Sequence, residues 1–339
     1  MTECERIVKS ETVPESFLLP ETRNDYEITA RQKKVWLIEL DLLREFDSLC
    51  KAHGIRYFAG FGTLLGAVRH HGFIPWDDDL DVWVPREDYE RMLKINSKTV
   101  PHPYFLQTTL NDRDYYSAFA RLRNSNTTGI LVSQHNKCKN GIYMDIYPLD
   151  GIHKNPLTQH VREARIKIMN VVAHAYVFNI NPSRVTHAIH DILHLPFIAY
   201  NPQKTYRTVN ALAASQPWND GERVGTVVFA PYKHNQNIYC KEDFSSAEVV
   251  PFEFLNIPIP KGYQRILTTI YGDYMRFPPV EIRGTWHNFT FEPDIPYMEY
   301  CKDFHNTPPR CEVKTLYVSV CVVSLMYALS YESLDWRLA

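Results

Sequence analysis

The sequence predicts an α+β fold, with strands and amphipathic helices interleaved through its first half and a helical subdomain behind them. Three observations carry this. Leu80, Val82 and Val84 alternate with Asp79, Asp81 and Trp83, and Ile142, Met144 and Ile146 alternate with Tyr143, Asp145 and Tyr147, the period of a β-strand with one apolar face. Val35, Ile38, Leu42, Phe46 and Leu49 recur at three- and four-residue spacing, the period of a helix with one buried stripe. Beyond Pro156, helical patterns over 161–177, 185–198 and 206–213 are separated by Asn-Pro steps that mark turns.

The elements follow in order. Residues 1–28 mix Pro, Glu, Thr and Ser without periodicity and read as an extended or poorly ordered N-terminal arm. An amphipathic helix spans about Thr29 to His53, with Glu39, Asp41, Arg44 and Lys51 elsewhere around its wheel, and Gly54 ends it. Ile55 to Phe58 forms a short strand, and Ala59 to Arg69 a glycine-bearing turn that opens a small helix. The acidic strand over Asp79–Val84 leads into Pro85, Glu87 and Asp88, which are helix-opening signals. Tyr104–Leu106, Ala118–Leu122 and Gly141–Asp150 read as strands, with Asp150 beside Gly151 turning the last one. A helical insertion occupies about 155–215, after which Val224–Phe229 and Glu253–Pro260 are extended and Gly262–Tyr271 is helical. Without repeats or a long linker, 29–290 is one domain and 291–339 a C-terminal tail of no assigned role.

Composition narrows the function classes. A chain of 339 residues with 45% hydrophobic and 22% charged residues is an ordinary globular protein, and a net charge of −2 lacks the basic field that grips nucleic acid. The 13% of aromatic residues fits an aromatic core or clefts that stack sugars or bases. Seven scattered cysteines without a CxxC pair suggest neither a zinc site nor a disulfide framework. The start, Met1 to Arg6, is not that of a signal peptide, so a reduced cytoplasmic setting is expected. Leu316 to Tyr331 is almost uncharged, but at about 16 residues it is short for a membrane span.

The chemistry centres on Asp77-Asp-Asp-Leu-Asp81, four carboxylates in five positions beside apolar residues. Such crowding raises proton affinity unless a cation supplies charge, and hard oxygen ligands are what Mg²⁺ and Mn²⁺ take. Period two sends Asp79 and Asp81 to one face; an acidic surface loop is the plain alternative. Upstream, Gly62 and Thr63 sit where a strand turns into a helix, a place that offers backbone N–H groups and a hydroxyl to a phosphate. Arg121 and Arg123 bracket Leu122 on one strand face and can clamp a diphosphate or simply lie at the surface. Asp145 supplies a third strand carboxylate.

These stretches resemble a known family. Tyr57-Phe-Ala-Gly-Phe-Gly-Thr-Leu-Leu-Gly-Ala-Val-Arg-His-His-Gly-Phe-Ile-Pro-Trp-Asp-Asp-Asp-Leu-Asp-Val82 looks like the signature of the LicD family, which includes fukutin and fukutin-related proteins. The likeness continues through Arg121–Thr128, Gly141–Gly151, Tyr271-Gly-Asp-Tyr-Met275, Arg283 and His287, and covers about Gln32 to His287. It implies a nucleotidyltransferase-like fold, a mixed β-sheet core with flanking helices. Family members move phosphocholine or a polyol phosphate from a cytidine-diphosphate donor, CDP-choline or a CDP-polyol, to a glycan hydroxyl. Asp79 and Asp81 match the metal-binding pair, and Gly62 and Thr63 the turn; Phe61 stands where many members carry another glycine.

The resemblance thus implies that Asp79, Asp81 and Asp145 hold one or two Mg²⁺ or Mn²⁺ ions on the donor diphosphate. Arg121, Arg123 or Arg69 adds positive charge, and Asp145 alternatively takes the acceptor's proton. His70, His71 and His287 can serve as base or phosphate contact, though a lone histidine is more often structural. Nucleotidyl transfer to a small molecule and a non-catalytic nucleotide- or glycan-binding protein are the rivals; the intact Asp79 and Asp81 argue against the second. The apolar tail leaves peripheral association with the inner face of a membrane open.

Overall fold

The computed structural model describes residues 2–10, 13–14, 16–95, 99–131, 139–177, 202–229, 237–284 and 289–304. The elements are α1 (Glu3–Ser10), β1 (Glu21–Arg23), β2 (Tyr26–Ile28), α2 (Ala30–His53), β3 (Phe58–Ala59), α3 (Phe61–Arg69), β4 (Asp81–Pro85) and α4 (Arg86–Met92). Then come β5 (Tyr104–Gln107), β6 (Ala120–Asn124), β7 (Thr128–Leu131), β8 (Ile142–Gly151), α5 (Pro156–Val177) and α6 (Pro202–Ala213). The chain continues through β9 (Arg223–Gly225), β10 (Ile238–Cys240), β11 (Ala247–Phe252), β12 (Leu255–Pro260), α7 (Tyr263–Tyr271), β13 (Phe289–Glu292) and α8 (Tyr297–Phe304). This is the α+β class, with a mixed sheet.

The sheet runs β10-β9-β8-β4-β3, with β6 also on β8 and β5 on β6. β4 and β8 are parallel, and the other pairs antiparallel. The alternating residues decide its two faces. Val82 is the register partner of Ile146, and Leu122 of Met144; all four are fully buried, on the face opposite Asp81 and Asp145. The long helix α2 packs on β8 and β6. It opens at Thr29, whose hydroxyl accepts from the Gln32 N–H at 3.2 Å, and closes at Gly54, whose φ of 61° suits a residue without Cβ. α5 and α6 pack together beside the sheet around Ile166, Ala173, Tyr206, Val209 and Ala213.

The structure departs from the expectations in four places. The arm is ordered in part and carries a helix: α1 lies on α2 with Cys4 and Ile7 buried, and the Glu3 carboxylate accepts from Asn124 Nδ2 at 2.7 Å and Asn126 Nδ2 at 3.0 Å, while β1 and β2 pair with each other. Eight residues are too few to display a helical period. The acidic strand begins only at Asp81, so Asp79 lies in the preceding loop. Asp150 continues β8 instead of turning it, since it pairs with Gly225 of β9, and Arg86 Nε donates to its Oδ1 at 2.6 Å within the core. The boundary drawn at 290 falls inside β13, which pairs with β7. The segments 185–198 and 316–331, and His287, lie outside the described residues. Among those described, no helix is long and apolar enough to cross a membrane, and Cys4, Cys50, Cys240 and Cys301 are free thiols.

Candidate active site

Register brings the central residues together. Asp145 on β8 is the partner of Asp81 on β4 and of Arg121 on β6, so the three side chains form one row across adjacent strands. Arg121 Nε donates to Asp145 Oδ1 at 2.5 Å and Nη2 to Oδ2 at 3.2 Å, and the Tyr147 hydroxyl donates to Oδ2 at 2.9 Å. Asp81 has no such partner for one of its oxygens: Oδ1 is buried and accepts no hydrogen bond. Burial pushes the Asp81 carboxyl well above the usual carboxylate range, Asp79, Asp145 and Asp77 push it further, and Arg121 opposes them.

Two elements hold the acidic loop against this row. From α3, Thr63 Oγ1 accepts the Asp81 N–H at 2.8 Å, and at the helix entrance the Gly60 N–H donates to the Asp81 carbonyl at 2.9 Å. Gly62, in the first turn, lies so near the loop that a Cβ there would stand 2.7 Å from Asp77 Oδ2. From α2, Trp36 Nε1 donates to the Asp77 carbonyl at 3.2 Å and Gln32 Nε2 to the Pro75 carbonyl at 2.8 Å. Asp77, Asp78 and Asp79 thereby each offer an oxygen within 4.8 Å of the others. Asp79 thus reaches the cluster through the loop and not along the strand.

The expected cations divide. Arg121 lies in the row, while Arg123 is buried with Nε donating to Gln107 Oε1 at 2.5 Å and Nη1 to the Gly141 carbonyl at 2.6 Å. Arg69 ends α3, where Nη1 donates to the Tyr274 carbonyl at 2.8 Å and the guanidinium lies 5.0 Å from the Phe277 ring. Its Nη2 is buried without a partner, and burial lowers its pKa to about 10. His70 bonds Asn24 Oδ1 through Nδ1 at 3.1 Å; burial and then Arg69 lower it to about 3, which holds the ring neutral at physiological pH. His71 is exposed. Tyr271 is pushed up by burial and then by Asp77, Asp81 and Asp79, which places its phenol in the field of the cluster, whereas Asp273 is exposed.

Glu39, which helical periodicity puts off the apolar stripe of α2, also belongs to the site's surroundings. On α2 it is fully buried, its Oε2 has no hydrogen-bond partner, and burial followed by Asp79, Asp78, Asp77 and Asp81 pushes its carboxyl well up. In the sequence it is a single acid between Ile38 and Leu40, which reads equally as a solvated position on the wheel.

The chemistry of the donor set fits a hard divalent cation. An orphaned, buried carboxylate oxygen on Asp81, beside a loop of three further acids, is a costly arrangement that added positive charge relieves. A mixed sheet that presents paired acids beside a helix entrance is the architecture of a nucleotidyltransferase-type domain, and residues 54–182 match the family described as "LicD/FKTN/FKRP, nucleotidyltransferase domain". Among curated proteins, the "Lipopolysaccharide cholinephosphotransferase LicD" of Haemophilus influenzae is 29% identical over 268 residues, 77% of this chain and 97% of that protein. An uncharacterized protein of Rickettsia prowazekii is 49% identical over 54 residues, 16% of this chain and 20% of that protein.

Proposed function

We propose that this chain is a phosphotransferase that moves phosphocholine from a CDP-linked donor to a hydroxyl of a cell-surface glycan, lipopolysaccharide by analogy with the Haemophilus relative. The observation that carries the reading is the row Asp81–Asp145–Arg121, with Asp81 Oδ1 buried and unsatisfied beside Asp79. Asp79 and Asp81 would hold Mg²⁺ or Mn²⁺, with Asp145 contributing a lone pair beyond those used by Arg121 and Tyr147. When bound, the ion supplies charge to the donor's phosphate oxygens.

The chain's own residues do the rest. Arg121 spends Nε and Nη2 on Asp145, which fixes the plane of its guanidinium and presents Nη1 as a donor for the phosphoryl group. Thr63 and Gly62 fix the height of Asp81 and let Asp77 close on the α3 entrance. The acceptor oxygen forms the new bond to phosphorus, the bond to the cytidine monophosphate oxygen breaks with its electron pair, and the acceptor's proton passes to a carboxylate oxygen of the cluster. With a glycan precursor as acceptor, the work lies in the cytoplasm beside the inner face of a membrane.

Incubating the protein with CDP-choline, Mg²⁺ and a lipopolysaccharide acceptor tests this. Cytidine monophosphate should be released and phosphocholine should appear on the glycan, with Asp81→Asn slower by about a hundredfold or more. Cytidine monophosphate found on the acceptor instead would place the chain among nucleotidyltransferases.

A further inference from the structure

Beside the charged row, on the same face of the sheet, lies a row of rings. One step along the strands Trp83 and Tyr147 are register partners, and Phe119 sets its ring 4.5 Å from that of Tyr147. Phe61 packs edge-on against both, at 4.9 Å from Trp83 and 5.4 Å from Tyr147, and Phe229 lies 5.1 Å from Tyr147 and 5.5 Å from Phe119. Trp83 and Tyr147 are buried, but Phe61, Phe119 and Phe229 are each half-buried, so the rings at the outside of the group keep surface for a ligand. Through its hydroxyl, Tyr147 joins the two rows at Asp145.

Phe61 adds an independent observation. Its φ is 39°, in the left-handed region where a side chain is disfavoured and glycine is at home. The chain therefore accepts backbone strain at the entrance of α3 in order to set a ring against Tyr147, and strain held beside a functional site points to a use. The use has to suit both rows. Ring faces attract cations, particularly poorly hydrated ones with methyl groups to bury, and the surplus of carboxylates over Arg121 adds a negative field.

Building on the phosphotransfer reading, we propose that Phe61, Phe119 and Phe229, ranged around the buried Tyr147, receive the quaternary ammonium of the donor's choline while the carboxylate row holds its phosphate end. The rings then set substrate choice: a polyol phosphate, which carries hydroxyls and no cation, gains nothing from them.

The test is equilibrium binding of CDP-choline and of its neutral isostere, the 3,3-dimethylbutyl ester in which carbon replaces the ammonium nitrogen, with Mg²⁺ present. Wild type should bind CDP-choline about tenfold more tightly than the isostere. The ratio should fall severalfold in Phe119→Leu and Phe61→Gly and return in Phe119→Tyr, whereas a purely structural role would weaken both ligands equally and leave it constant. Should Phe61→Gly fail to fold, Phe229→Leu takes its place. Equal affinity of wild type for the two compounds, or a tenfold preference that the leucine variants retain, overturns the inference while phosphocholine transfer stands. Binding of neither compound removes the donor assignment and the inference with it.

Discussion

Asp81 is where stability and proposed function pull against each other. Its carboxyl is buried, faces three other acids and leaves one oxygen unsatisfied, all of which destabilise the ion-free fold. Asp81→Asn should therefore raise stability in chelator by about 1–3 kcal/mol, read from urea denaturation, while lowering turnover. Asp41 makes a separate prediction, away from the site. Burial raises it from 3.8 to about 6, despite bonds from Tyr104 at 2.7 Å and Arg6 at 3.0 Å. The folded state thus binds this proton more tightly than the unfolded chain, so the stability this group contributes is greatest below about pH 4 and declines as pH rises to about 6. The decline amounts to about 3 kcal/mol, and Asp41→Asn should flatten the stability profile across that window.

At the scale of elements, α3 is the lever that sets the acidic loop. Two of its glycines meet the segment between α3 and β4, with different neighbours. A Cβ on Gly62 meets a side-chain oxygen, Asp77 Oδ2 at 2.7 Å, which can swing away; a Cβ on Gly66 meets the backbone carbonyl of Gly72 at 2.4 Å, which cannot do so cheaply. Gly62→Ala should then weaken metal binding with a change in stability below about 1 kcal/mol, whereas Gly66→Ala should cost more than about 2 kcal/mol, both measured by denaturation and Mn²⁺ titration. The strands themselves were legible from the sequence: Val82 and Val84, like Met144 and Ile146, alternate with the residues that carry the site, and the register obeys that alternation. What alternation could not supply was the strand's first residue. Asp79 continues the pattern but lacks a neighbouring strand, and Trp36 and Gln32 of α2 hold its loop instead. The helical wheel failed at Glu39 and Asp41 for a related reason, since both are buried acids in a helix covered on more than one side.

Across the whole molecule, the site is assembled from segments distant in sequence: α2, the α3 entrance, the acidic loop, β6 and β8. The sequence displayed each acid but not which neighbour would answer its charge. The pairing of Arg121 with Asp145, the burial of Arg123 against Gln107 and Gly141, and the orphaned oxygen of Asp81 arise only when β4, β8 and β6 lie side by side. The docked α1 belongs to the same lesson. Glu3 finds Asn124 at the end of β6, 121 residues along the chain, and no local pattern announces it. The central claim is that this assembled row takes a divalent cation, and Mn²⁺ titration followed by electron paramagnetic resonance tests it most directly. Wild type should show saturable binding that Asp81→Asn loses while remaining folded; identical titration curves for the two proteins would contradict the account.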